Sequence, residues 1–179
     1  MAVFKIIVTG SFNSGKTEFI KQVSEIDPVT TDKKVSEKEL REIKALTTVA
    51  MDFGRLTVDK DIVLHIYATP GQERFKFVYP ILLKNALALI ILADITDKNS
   101  IKAVNEFYRD FYKLKKLPTV VALTKVDLPN AVPDSEINEL LSDIPESIPI
   151  LKINATDKED VKKTLLFALQ QLEDEEAIV

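Results

Sequence analysis

Along this chain, short apolar runs alternate with longer stretches in which apolar residues recur every three or four positions. Val3-Phe4-Lys5-Ile6-Ile7-Val8 is β-branched and apolar, the pattern of a buried strand. Glu18 to Val23 follows with Phe19, Ile20 and Val23 on one helical face. Residues 48–58 and 61–67 read as two strands joined by a short turn at Asp59-Lys60, which predicts an antiparallel hairpin. The lone histidine, His65, shares a strand face with Val63 and Tyr67 and reads as structural. Ala86 to Ala93 is a fully apolar run ending at Asp94, as a central strand would. Ile101, Val104, Phe107, Tyr108, Phe111 and Leu114 fall at helical spacing, so these aromatics belong to a core face. Residues 118–123 and 148–153 complete the strands. Helices follow each, capped at Asp134 or Ser135 and at Thr156 or Asp157.

Strands alternating with helices, most of them apolar on both faces, predict an α/β fold: a mostly parallel sheet with helices on both sides. Ligands on such sheets bind beyond the carboxyl ends of the strands. Residues 10–17, the turn at Asp94, residues 124–127 and residues 154–156 all follow carboxyl ends, so they should meet on one rim. Residues 27–48 are polar and read as a long solvated linker, a length that often carries function. The acidic end, Glu173 to Glu176, should be solvated and frayed.

Composition narrows the function classes. At 179 residues with no repeat or boundary, residues 1–179 read as one domain. The net charge of −4 gives no footprint for nucleic acid and no basic tail for an anionic membrane. The absence of Cys excludes disulfides, thiolate metal sites, a catalytic Cys, prenylation and palmitoylation, and Ala2 excludes myristoylation. No stretch reads as a signal peptide or membrane span, so a cytoplasmic protein without a direct membrane anchor is expected.

The chemistry starts at Gly10-Ser11-Phe12-Asn13-Ser14-Gly15-Lys16-Thr17, which has the form G-x-x-x-x-G-K-[ST] of a phosphate-binding loop. It lies between a strand and a helix, the context that separates such a loop from a chance Gly-rich turn. Gly10 and Gly15 permit turns that aim backbone N–H groups at phosphate oxygens, and the helix N-terminus adds positive potential. The Lys16 ammonium can reach the β- and γ-phosphates, and the Thr17 hydroxyl can ligate Mg²⁺.

With that loop, Thr48 before a strand, Thr69-Pro70-Gly71-Gln72-Glu73, Thr124-Lys125-Val126-Asp127 and Asn154-Ala155-Thr156 stand in an order and spacing that resemble the Ras-like small GTPases over nearly the whole chain. The runs Thr47 to Arg55 and Thr69 to Phe75 look most like the prokaryotic members, related to the gliding-motility polarity GTPases and to those found beside Roadblock/LC7 proteins. The resemblance implies a three-layer P-loop NTPase fold, a Ras-like G domain. Its sheet would be six-stranded and mostly parallel, with one antiparallel strand. It implies GTP/GDP and Mg²⁺ as ligands, GTP hydrolysis, and regulatory and effector proteins as partners, a Roadblock/LC7 protein among them. Lys16, Thr48 and Gln72 would be catalytic, with Gln72 orienting the attacking water. Residues 10–17 would cradle the phosphates, and Gly71 would donate its N–H to the γ-phosphate. Thr17, Thr48 and Asp52 would serve the metal. Lys125 would pack over the base, Asp127 would accept from guanine N1–H and its 2-amino group, and the Ala155 N–H would donate to O6, with Asn154 and Thr156 flanking it.

Four positions depart from the pattern. Thr124 replaces the usual Asn, and its hydroxyl can tie this loop to the phosphate loop with fewer hydrogen bonds. Ala68 stands where an acid usually holds Mg²⁺ through water; Asp52, on the neighbouring strand, either supplies that carboxylate or only supports the switch backbone. Phe12 either hinders an arginine finger or displaces the attacking water, which would make intrinsic hydrolysis slow, or it packs against a partner. Pro70 stiffens the second switch. Arg41 and Arg55 are the candidates for an arginine supplied in the chain. Two functions stay open: a hydrolysing nucleotide switch, and a scaffold that binds GTP or GDP without turnover. Asp127 argues against a third, an ATPase.

Overall fold

The computed structural model describes residues 2–26, 37–39, 41, 44, 52–70 and 73–178. Strands β1 (Ala2–Gly10), β2 (Asp52–Asp59), β3 (Ile62–Ala68), β4 (Ala86–Asp94), β5 (Thr119–Thr124) and β6 (Ile150–Lys152) form one sheet in the order β2-β3-β1-β4-β5-β6. Every neighbouring pair is parallel except β2 with β3, the hairpin expected from its short turn. The helices are α1 (Lys16–Val23), α2 (Tyr79–Leu83) after a 3-10 turn at Glu73–Val78, α3 (Lys98–Leu114), α4 (Asp134–Leu140) and α5 (Lys158–Ile178).

Side-chain alternation on the strands divides the core in two. Ile7, Leu89, Ile91 and Val121 face α2, α3 and α4, where Tyr79, Leu82, Ile101, Phe111 and Ile137 close over them. Ile6, Val8, Ile90, Leu92 and Val120 face the other way and pack with Phe19, Ile20 and Val23 of α1 and Val161, Leu165 and Ala168 of α5. The chain leaves β1 to build β2 and β3 on one side and returns to place β4 on the other. The carboxyl end of β1 is therefore a topological switch point, where doubly wound sheets open a ligand crevice.

Several boundaries differ from the sequence reading. Of the strand expected at 48–58, residues 52–59 are strand, while 48–51 lie outside the described residues. The strand expected at 148–153 shortens to 150–152, and Pro149 contributes only its carbonyl, to Val121 N–H. Within the expected linker, residues 37–39, 41 and 44 are helical. The run Glu37-Lys38-Glu39-Leu40-Arg41 consists of good helix formers, and Glu37 pairs with Arg41 one turn on. Asp134 is the first residue of α4 rather than its cap, which is Pro133, and it pairs instead with Lys152. Asp157 does cap α5, accepting from Glu159 N–H at 2.9 Å. The backbone of α5 is helical to Ile178 and so includes the acidic run Glu173 to Glu176. Among the described residues no helix is long and apolar enough to cross a membrane.

Candidate nucleotide site

The loop from Gly10 to Lys16 turns through three left-handed residues, Gly10 (φ 145°), Asn13 (φ 65°) and Gly15 (φ 105°). At Gly10 the reason is also close approach: a Cβ there would overlap the Leu92 carbonyl oxygen and sit 2.7 Å from Ser14 Oγ. Lys16 is 3% exposed, and its ammonium donates to the carbonyls of Gly10 (2.7 Å) and Ser11 (2.8 Å). Burial pushes its pKa down to about 8, partly opposed by the charge of Asp52. Ser14 Oγ is buried with no hydrogen-bond partner among the described residues. A buried cation bonded, among the described residues, to carbonyls of its own loop, in a loop that also carries an unsatisfied buried hydroxyl, suits an anion with several acceptor oxygens. The residues present therefore fit a polyphosphate.

Thr17, one residue into α1, donates its hydroxyl to Asp52 Oδ2 at 2.7 Å. Asp52 opens β2 directly opposite Ala68 in the β2–β3 ladder. Thr69 leaves β3 bound to β1, its N–H on Val8 O (2.9 Å) and its hydroxyl on that of Thr9 (2.6 Å). The segment that continues to Gly71 and Gln72 thus starts beside the phosphate loop. Gly71 and Gln72 themselves, and Thr48, lie outside the described residues.

On the other side, Thr124 ends β5 with its hydroxyl 2.6 Å from Ser14 O and 3.1 Å from Ala93 O, the tie expected of a hydroxyl at this position. A Cβ on Gly15 would meet Ala155 Cβ at 3.5 Å and Thr124 Cγ2 at 3.6 Å. The loops after β1, β5 and β6 therefore touch. Lys125 takes a left-handed backbone (φ 66°) and pairs with Asp94 Oδ2 at 2.9 Å, while Asp127 is exposed at the rim. Asn154 Oδ1 accepts from both the N–H (2.9 Å) and the hydroxyl (2.6 Å) of Thr156, and Asn154 N–H donates to Asp160 (2.8 Å). This tight turn buries Ala155.

Residues 5–174 match the Ras family. The chain belongs to the Ras family of small GTPases. It is 25% identical over 178 residues to the GTP-binding protein YPT1 of Saccharomyces cerevisiae, covering 96% of this chain and 80% of that protein. It is 32% identical over 127 residues to an uncharacterized protein of Methanocaldococcus jannaschii, covering 69% and 71%. Ras-related protein RIC1 of Oryza sativa subsp. japonica is 31% identical over 127 residues, and this chain spans only 62% of its length.

In this Ras-family chain both candidate arginines lie against carboxylates. Arg55 is buried, with Nε on Glu39 (2.6 Å) and Nη1 on Glu25 (2.7 Å). Arg41 is exposed, 3.9 Å from Glu37. Phe12 is 68% exposed, so its ring is not part of the core. Sequence reading placed the Asp94 turn at the rim but gave Asp94 no role, and it missed Ser100, whose hydroxyl lies 2.7 Å from that of Ser11. A polar residue at the carboxyl end of the central strand was the available signal for Asp94; Ser100, one turn into α3, gave none.

Proposed function

We propose that this Ras-family protein is a guanine-nucleotide switch that binds GTP or GDP with magnesium, hydrolyses GTP slowly, and engages partner proteins according to the nucleotide held. One observation carries this proposal: the Thr124 hydroxyl on the Ser14 carbonyl, which joins a phosphate cradle to the loops that would hold a base. A nucleoside polyphosphate is the ligand whose two ends need those two surfaces side by side.

Residues 10–17 bind the phosphates, with Lys16 supplying the charge and Gly10, Ser11, Phe12, Asn13, Ser14 and Gly15 the backbone. Lys125 packs over the base. Asp127 accepts from both guanine donors, which adenine lacks as a pair. The Ala155 N–H meets O6, in the turn made by Asn154 and Thr156. Magnesium, when bound, neutralises charge on the phosphate oxygens. Among the described residues no cluster of three or more His, Cys, Asp or Glu could hold it. Thr17 and Thr48 would therefore ligate it alongside phosphate oxygens, with Asp52 supporting through water. Two facts favour Asp52 as the replacement for the acid missing at Ala68: it faces Ala68 across the ladder, and it already receives the Thr17 hydroxyl. Thr48 and Gly71 sense the γ-phosphate, and Gln72 orients the attacking water. With Arg55 held by Glu25 and Glu39, rapid turnover requires an activating partner. The sequence runs around Thr48 and Gln72 favour the prokaryotic branch, and a Roadblock/LC7 protein is the partner to test by pull-down with each nucleotide.

Mass spectrometry of the nucleotide that co-purifies with the protein, followed by single-turnover hydrolysis with and without Mg²⁺, tests the proposal. Bound guanine nucleotide and slow turnover lost in Gln72→Leu are expected. Bound GTP with no turnover over hours would make the protein a scaffold, and indifference to guanine nucleotides would end the proposal.

A further inference from the structure

Asp94, at the carboxyl end of β4, lies between the phosphate loop and the base loop and is bonded toward both. Its Oδ2 accepts from the Lys125 ammonium at 2.9 Å. Its Oδ1 accepts from the N–H (2.9 Å) and hydroxyl (2.6 Å) of Thr96. Its backbone N–H donates to Ser100 Oγ at 2.9 Å, and Ser100 Oγ lies 2.7 Å from Ser11 Oγ. A continuous hydrogen-bonded path therefore runs from the phosphate loop through Ser11, Ser100 and Asp94 to Lys125.

We infer that Asp94 is a positioning residue for nucleotide binding, fixing the Lys125 stem in the place where it covers the base. This rests on the function proposed above and deepens it. A lysine stem is flexible, with several rotatable bonds whose freedom must be lost before it can pack flat on a ring. Anchoring its ammonium on a carboxylate that is itself held by Thr96 removes that freedom before ligand arrives. The left-handed backbone at Lys125, unfavourable for a side-chain-bearing residue, persists only because the surrounding contacts hold it. Those contacts include Leu128 N–H on Lys125 O (3.0 Å) and the Asp94 ion pair. Thr124, one residue earlier, is fixed from the same side, its carbonyl accepting from the N–H of Ile95, the neighbour of Asp94, at 3.0 Å. The carboxyl end of β4 thus aligns the base loop at two successive residues.

Because the Lys125 stem is apolar, the contact that Asp94 prepares is blind to the substituents of the purine. Asp94 should therefore govern how long a nucleotide stays bound, and Asp127 which base is chosen. The test is a double-mutant cycle on the full chain, read as dissociation of a fluorescent GDP analogue and of its inosine counterpart in Mg²⁺. Asp94→Asn keeps shape and an acceptor for Thr96 while removing the charge that holds Lys125. It should speed release about 10-fold, the scale of one charge-assisted hydrogen bond, and equally for both bases. Lys125→Met should do at least as much, and the double variant should release no faster than Lys125→Met alone. Melting temperatures without nucleotide separate a general loss of structure from this effect and should fall by no more than about 3 °C, the scale of one partly exposed ion pair. Independent, multiplying effects in the double variant, or wild-type release from Asp94→Asn, would overturn the role of Asp94. If wild type itself binds neither analogue, it is the proposed function that fails.

Discussion

Replacing Glu39 by Gln removes the charge at the centre of a buried clasp. Glu39 is the only acid among the described buried residues. Its Oε1 accepts from Arg55 Nε (2.6 Å) and lies 2.6 Å from His65 Nε2, and Arg55 and His65 face each other across β2 and β3. Removing one partner of a buried ion pair costs about 3–5 kcal/mol. Here Arg55 keeps Glu25, whose side chain is 24% exposed, and Gln can still accept one hydrogen bond, so we expect a loss of about 2 kcal/mol. For a chain of this size that is a fall in melting temperature of about 6 °C. The effect has a pH signature. Burial works against ionisation of Glu39, but hydrogen bonds from Arg55 and His65, with their charges, outweigh it and hold the carboxyl below its ordinary value of 4.5. A folded pKa below the unfolded one contributes stability that is complete above about pH 4.5 and lost as pH falls through the folded value. Circular-dichroism melts of wild type and Glu39→Gln from pH 7 to 3, at fixed nucleotide and Mg²⁺, should differ by the full amount at neutral pH and converge on acidification. Glu37→Gln, exposed and only 3.9 Å from Arg41, is the control and should shift the melt by about 1 °C or less. A Glu39→Gln melt indistinguishable from wild type at pH 7, or a constant gap down to pH 3, would refute the clasp.

Asp52→Ala should speed release of a GDP analogue in Mg²⁺ by about 10-fold or more while leaving release in EDTA unchanged; equal rates for variant and wild type in Mg²⁺ would remove Asp52 from the metal site. Gly10→Ala forces a Cβ into the Leu92 carbonyl at a left-handed backbone position, and should lower stability by about 3 kcal/mol. That is a melting shift of about 9 °C, checked by thermal denaturation, and a shift under about 2 °C would mean the loop can move aside.

Much of this protein was legible along the chain because its signals are local. The apolar run of β4, the helical spacing on α3 and the glycine-bounded turn before Lys16 each report a conformation fixed within a few residues, by side-chain alternation, helical period or left-handed backbone. The tie from Thr124 to the phosphate loop could also be anticipated, since both stand at carboxyl ends of strands on the same rim. The helical turn around Glu39 was hidden, because a run of Glu and Lys reads alike as solvated loop or as exposed helix. A long-range contact, with Arg55 and His65, ties it to the sheet. The same holds for Asp94. Its position at a strand end and its bond to Thr96, two residues on, are local, but Lys125 comes from a loop 31 residues away, and no spacing rule joins the two. Sequence determined the elements and the chemistry at their ends. Tertiary structure decided which charges face one another: Arg55 turned to Glu25 and Glu39, Lys125 on Asp94. Charge pairing depends on which strands become neighbours, and that is settled by packing the whole sheet rather than by any one stretch of it.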